Sequence, residues 1–385
     1  MKPQVKTIAR QPSWVLRNRD VELAVTQLGG HMAPVTFCRR DAAGPVQPYY
    51  ISPWQDEGLA IDEPVLVPLR GDFFCLPFGA NGTVRGTHHV VHGEPATEPW
   101  RWVNADRADG VTSLVLDMTL RKVPGRITKT LRLVDEHNVV YVQHTLSGCS
   151  GRFPLGHHAT LAMPDEARSV HVATSPVRFG MTTPTPSGLP GGAEGEYHSL
   201  AFAKRFRDLR RIPLIWKEPA TDDGRVYPAR AGFTDLMAVF NRPGRGPAWT
   251  AAVFAAQGYL WFSLKDPRVL PATILWIANR GRHMTPWNGR NRCLGLEDVC
   301  GYFAEGLAQS RKTNALNEAG VPTTVKLSRS HPTTINYIEG VVRVPRSFGP
   351  VRTVDLDHDA VTFISRSGGR ATTPVKHGFL RTGTL

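Results

Sequence analysis

Val111-Thr112-Ser113-Leu114-Val115-Leu116-Asp117-Met118-Thr119-Leu120 sets Leu114, Leu116, Met118 and Leu120 at every second position. That period puts one face of an extended chain in a core and the other outside it, as a half-buried strand requires. Arg126 to Leu133 reads as a second strand, Asp135-Glu136-His137-Asn138 as a turn, and Val139 to Leu146 as a third strand closing a hairpin. Working outward, strands are expected at Ala24–Leu28, Ser169–Ala173, Leu236–Phe240, Ala251–Phe254, Gly258–Leu264 and Thr273–Ala278. More are expected at Thr334–Val344, Thr353–Leu356 and Val361–Ser365, and helices only at Leu200–Leu209 and Arg311–Ala319. Short strands with Gly/Pro-rich turns and no βαβ rhythm predict an all-β antiparallel sandwich or barrel. The chain, residues 1–385, reads as one domain with a loop and helix insertion at about 183–232, which includes the turn-rich Thr183–Gly195.

Composition narrows the function. With 41% hydrophobic and 21% charged residues among 385, the chain can bury a sizeable core and is not disordered. No run of about 18 apolar residues occurs, so no membrane partner is expected. The N-terminal stretch also lacks a secretory apolar segment, and the expected location is the cytoplasm. Five cysteines without a CxxC pair suit buried thiols in a reducing compartment better than a disulfide or zinc scaffold. The formal charge of +13 comes from 36 Arg and 10 Lys scattered along the chain. Its densest cluster, Lys204 to Arg211, reads as a solvated surface helix, and no nucleic-acid motif surrounds it.

Phosphate-loop, GxGxxG, HExxH and GxSxG signatures are all absent. Chemistry is instead concentrated in three Gly/Pro/Trp-rich contexts. The first runs from Gly71 to Gly79 and on through His92-Gly93-Glu94-Pro95 to Trp100; here His92 reads as a site histidine. His88 and His92 share a strand face while His89 points away, a poor arrangement for three metal ligands, so no metal is expected. The second is Gly156-His157-His158-Ala159, where alternation lets only one of the two histidines enter a given pocket. His144, in step with Val140, Val142 and Leu146, reads as a core histidine. The third joins Asn279-Arg280-Gly281-Arg282, Pro286-Trp287-Asn288-Gly289-Arg290 and Leu294-Gly295-Leu296-Glu297-Asp298. A buried Glu297 would have a raised pKa suited to general-base work, with Arg282 or Arg290 pulling the other way.

In this order the three contexts resemble the aldose 1-epimerase, or galactose mutarotase-like, superfamily over roughly residues 20–300. The resemblance rests on His92-Gly93 with Trp100, on Gly156-His157-His158-Ala159, and on Gly295-Leu296-Glu297-Asp298. It implies a large antiparallel β-supersandwich with a carbohydrate cleft and no cofactor. By carry-over, Glu297 would remove the proton of the anomeric hydroxyl, His158 would protonate the ring oxygen, and His92 would hydrogen-bond the sugar. Trp100, Trp287, Asn288 and Arg290 are placed near the cleft wall, and Asp235 is a guess for a substrate-binding aspartate. The partner expected is a small sugar bound by a monomer or homodimer. A non-catalytic carbohydrate-binding protein on the same fold is the alternative. Two departures stand out. The sugar-phosphate branch carries arginines where this chain has Ala96 and Glu98, which points away from a phosphorylated hexose, and Asp298 replaces the proline after the catalytic glutamate.

Overall fold

The computed structural model describes residues 2–185, 196–242, 244 and 246–385. Two large antiparallel sheets face each other. One has nine strands, in the order Val226–Tyr227, Val170–Thr174, Ala248–Phe254, Tyr259–Lys265, Thr333–Arg343, Val139–Ser147, Gly125–Val134, Val111–Leu120 and Arg101–Ala108. The other runs from Arg205–Phe206 through Val177–Thr182, Phe233–Asn241, Ala272–Asn279 and Arg292–Cys300 to Leu155–His157 and Phe74–Cys75. Its Arg292–Cys300 strand also pairs with Ala159–Ala162. This is the all-β antiparallel sandwich expected from the period-two segments, in the large form that the resemblance implies, and each strand anticipated from the sequence is present within a few residues of its expected bounds.

Strand alternation builds the layers. Leu114, Leu116, Leu131, Val142 and Tyr337 from the first sheet meet Met237, Val239, Leu275, Leu294 and Leu296 from the second in one core. The outer face of the nine-stranded sheet is covered by the hairpins of Val351–Asp357, Ala360–Ser365 and Arg370–Pro374, with Phe363 and Phe379 packed beneath them. Leu236, Ala238, Ile274, Trp276 and Ala278 alternate onto the outer face of the eight-stranded sheet. There they form a second apolar layer with Trp54, Phe73 and Trp287. This layer floors the cleft described below.

Three local expectations are corrected. Leu200–Leu209 is not a helix, so the basic cluster is not a surface helix either. Asp235 captures the N–H groups of Ser199 and Leu200 at 2.8 and 2.9 Å. Arg205–Phe206 then extends the sheet edge beside Gly180, where only a hydrogen side chain leaves room for the Phe206 ring. Arg311–Ala319 divides into Gly306–Arg311 and Ala315–Glu318, because Asn314 turns its side chain to cap the second helix through the N–H groups of Leu316 and Asn317. The turn-rich loop lies, for residues 186–195, outside the described residues. From the remainder of 183–232, Arg205–Phe206 and Val226–Tyr227 supply an edge strand to each large sheet.

His144 is in the core as expected, fully buried and stacked on Phe74 at 4.0 Å, but among the described residues neither ring nitrogen finds a hydrogen-bond partner. Burial holds it well below the usual imidazole range. Exchanging a buried, unpaired polar ring for an apolar one of similar shape is close to neutral or stabilising. His144→Phe is therefore expected to unfold at the same or a higher urea midpoint than wild type at pH 7. A midpoint lowered by more than about 1 kcal/mol equivalent would mean that the ring has a polar partner.

Candidate active site

A cleft of about 270 Å³ opens on the outer face of the eight-stranded sheet. Its lining includes Phe73, His92, His158, Glu196, Asp235, Trp276, Arg282, Trp287 and Glu297. His158 and Glu297 meet at its base, Nε2 to Oε1, at 3.2 Å. Register brings this about. Ala159 pairs with Leu296 and Gly156 with Val299, so the kink between the two short strands sets His158 beside Glu297. Across the other edge, Trp276 pairs with Gly295, and a Cβ on Gly295 would stand 2.9 Å from Glu297 Oε1. The missing side chain is what lets the carboxyl and the indole share this face.

Alternation separates each candidate residue from its neighbour. His157 turns inward, stacks on Tyr337 at 4.0 Å and bonds Asp72 through Nδ1 at 2.9 Å. His158 turns outward, as the alternation argument requires. Its N–H donates to the Phe73 carbonyl at 2.9 Å, its ring stacks on Phe73 at 4.5 Å, and its Nδ1 meets Thr160 Oγ1 at 3.2 Å. Likewise Glu297 faces the cleft while Asp298 faces the interior. There Asp298 bonds Lys265, Thr273, Ser263 and Tyr337 at 2.5 to 2.9 Å and so ties the two sheets together. That inward network is what the residue in the proline's place does.

His92 enters from a loop. Its backbone N–H donates to the Gly79 carbonyl at 3.0 Å, and its ring lies edge-on to His158 at 5.0 Å. The following Gly93 has φ +77°, and a Cβ there would fall 1.9 Å from the Leu76 carbonyl oxygen. Only glycine permits that approach, which accounts for the His-Gly pair. Burial pulls His92 down to about 3 and holds His158 well below the usual imidazole range. Burial also pushes Glu297 up to about 8, against the opposing pull of Arg282. The pair at the base of the cleft therefore keeps one proton at neutral pH.

The sequence-derived candidates divide. His92, His158, Glu297, Trp287 and Asp235 line the cleft together. Asp235 is already committed, accepting from Ser199 N, Ser199 Oγ and Leu200 N, and so pins the 196–200 segment. Trp100 lies instead in the core between the sheets, its Nε1–H donating to the Pro95 carbonyl at 2.9 Å. Asn288 is exposed outside the cleft, and Arg290 is drawn away by an ion pair with Glu57. Glu196, Phe73 and Trp276 were not anticipated. Trp276 was readable in principle, since it sits two residues from Ala278 on the outward face of an expected strand. Glu196 follows the turn-rich loop and carries no local signal. It pairs with Arg282, whose guanidinium lies over the Trp287 and Trp276 rings at 4.7 and 5.3 Å.

Stability should report these buried imidazoles. The unfolded chain takes up protons below pH 6.5, whereas folded His92 and His31 resist protonation until about 3. The contribution of these two imidazoles is thus complete above 6.5 and declines as pH falls from 6.5 towards 3, while Glu297, raised to about 8, contributes in the opposite sense. Calorimetric melting of Glu297→Gln, which lacks the opposing carboxyl, at pH 7, 6, 5 and 4 checks this; a melting temperature that held constant over that range would contradict the buried neutral state.

Comparison with solved structures gives the same architecture at low sequence identity. A galactose mutarotase-like protein from Clostridium acetobutylicum superposes with a TM-score of 0.58 at 9% identity, over 89% of this chain and 99% of its own. The chain has the galactose mutarotase-like fold. A galactose mutarotase related enzyme from Lactobacillus acidophilus matches this fold with a TM-score of 0.54 at 10% identity, over 86% of this chain and 98% of its own. An Escherichia coli K12 protein provisionally assigned as an aldose 1-epimerase does so with a TM-score of 0.54 at 12% identity, covering 86% and 99%. No family model and no curated protein matches the sequence. No helix among the described residues is long and apolar enough to cross a membrane.

Proposed function

We propose that the protein interconverts the anomers of an aldose by acid–base ring opening in this cleft. The observation that carries the reading is the 3.2 Å contact between His158 and Glu297. The anomeric hydroxyl and the ring oxygen of a cyclic aldose are bonded to the same carbon, so an acid and a base acting on them must stand beside each other. The proton held by the pair can pass across the contact, leaving a carboxylate and an imidazolium. Glu297 then accepts the hydroxyl proton while His158 gives its own to the ring oxygen, and the C–O bond opens to the free aldehyde. Rotation about the carbonyl-bearing bond and reversal of both transfers close the other anomer, with no net proton consumed. His92, kept neutral, hydrogen-bonds a sugar hydroxyl, and Trp287 and Trp276 offer apolar faces to the ring.

Charge favours an uncharged sugar. Glu63, Glu196, Asp235 and Glu297 line the cleft, and Arg282, the one lysine or arginine among its described lining residues, is already paired with Glu196. No cation is left there to hold a phosphate. The test is the rate of α/β interconversion for a panel of free, acidic and phosphorylated aldoses, followed by NMR or polarimetry. Acceleration of at least one free aldose is expected. If wild-type protein accelerates none yet binds one, the non-catalytic carbohydrate-binding reading replaces this one.

A further inference from the structure

The segments that close one side of the cleft also line a second concavity. Asp235 and Arg282 belong to the cleft, whereas Ala229, Arg230, Ala231, Asn279 and Arg280 belong to a groove of about 370 Å³. Arg168, Arg230, Arg280 and Arg292 line this groove, and the carboxylates among its described lining residues are Asp165 and Asp222. Asp222 is shared by two guanidiniums, 3.1 Å from Arg168 and 3.4 Å from Arg230. Arg292 pairs with Asp165, whose side chain is 92% exposed. Two positive charges are left over.

Arg280, like Arg168 at φ +60° on the same groove, is a non-glycine residue in the left-handed region. Its backbone is held at φ +65°, a left-handed conformation that an L-residue adopts at a cost glycine would avoid. Its N–H is used by the Asn291 carbonyl at 2.8 Å, but among the described residues its exposed guanidinium has neither an ion pair nor a hydrogen bond. An exposed guanidinium without a partner among the described residues, on a groove with surplus positive charge, is arranged for an anion brought from outside.

We propose that this groove binds a small phosphorylated metabolite through its phosphomonoester group. Guanidinium forks donate two parallel N–H···O bonds to phosphate oxygens, and a phosphate dianion matches the surplus of two charges. Arg280 supplies the free fork, and Arg168 and Arg230 supply the donors that one shared aspartate leaves incompletely used. The groove is large enough for a phosphate with a sugar-sized substituent. The inference is independent of the chemistry proposed for the cleft.

Titration calorimetry at low ionic strength, with inorganic phosphate and with glycerol phosphate as probes, tests it. Saturable binding at one site per chain is expected, weakened at least tenfold in Arg280→Gln and unchanged in Glu297→Gln and in Arg352→Gln, an exposed arginine elsewhere. Arg280→Gly should lose binding equally while melting at the same or a higher temperature, which separates a ligand role from a structural one. A mixed-sequence single-stranded oligonucleotide forms the remaining arm. The proposal is overturned if wild type shows no saturable binding of either small phosphate, if Arg280→Gln binds as wild type, or if only the oligonucleotide binds.

Discussion

Glu297→Gln is expected to slow anomer interconversion by about 10²–10⁴-fold, the usual contribution of one acid–base group, while the protein stays folded. The amide keeps the size of the carboxyl and can still bond His158, but it can no longer take a proton. His158→Asn should cost a similar factor. The double variant should lose little more than either single one, because the two groups act through one shared proton. The pH dependence follows from the same bookkeeping. The proposed mechanism needs the pair singly protonated, one partner giving and the other receiving. The last proton leaves with Glu297 at about 8, so kcat/KM should fall as pH rises through that value. The values that appear in the profile belong to the pair rather than to one residue. His157→Asn is the control, because His157 faces the interior against Asp72 and Tyr337. Its effect should appear as lower stability rather than as a lost alkaline limb. A Glu297→Gln protein that turns over every responsive sugar at the wild-type rate would remove the carboxyl from the mechanism.

Asp298→Ala should be the most destabilising single change in the neighbourhood of the cleft. Asp298 is fully buried and accepts from Lys265, Thr273, Ser263 and Tyr337. Ser263, Lys265 and Tyr337 belong to the nine-stranded sheet and Thr273 to the eight-stranded one. Burial pulls the Lys265 ammonium below its usual range and Asp298 pulls it back. Removing the carboxylate strands that ammonium between the sheets, where Ala272 O and Thr273 Oγ1 are its remaining acceptors. Breaking one side of a buried ion pair costs about 3–5 kcal/mol, and urea unfolding should show a loss of that size. Replacing both charges, as in Asp298→Asn with Lys265→Met, should recover a large part of it, since neither charge is then left unpaired. A loss below about 1 kcal/mol for Asp298→Ala would mean that the pair is not closed off from water.

What could be read from the chain alone depended on periodicity. Alternation is a local property of the backbone, so the strand at Val111–Leu120 and the hairpin after it could be read from a few residues each. The same rule put His158 and His157 on opposite faces. Composition showed that a core could form, but the direction of the Glu297 shift was legible only on the supposition that this residue is buried. Trp100 and Trp287 could not be told apart in this way. Both stand in Gly/Pro-rich loops, yet one packs between the sheets and the other lines the cleft, because loop paths are set by what the loops close over. The helix expected over Leu200–Leu209 failed for a related reason: the carboxylate of Asp235, some 35 residues away in sequence, claims the backbone N–H groups at its start. Register did the rest. Whether Glu297 touches His158, and whether Glu196 reaches Arg282, depends on which residue of one strand lies opposite which residue of another. That is decided by packing across the whole sheet, where a slip of one residue would turn Glu297 inward and Asp298 into the cleft.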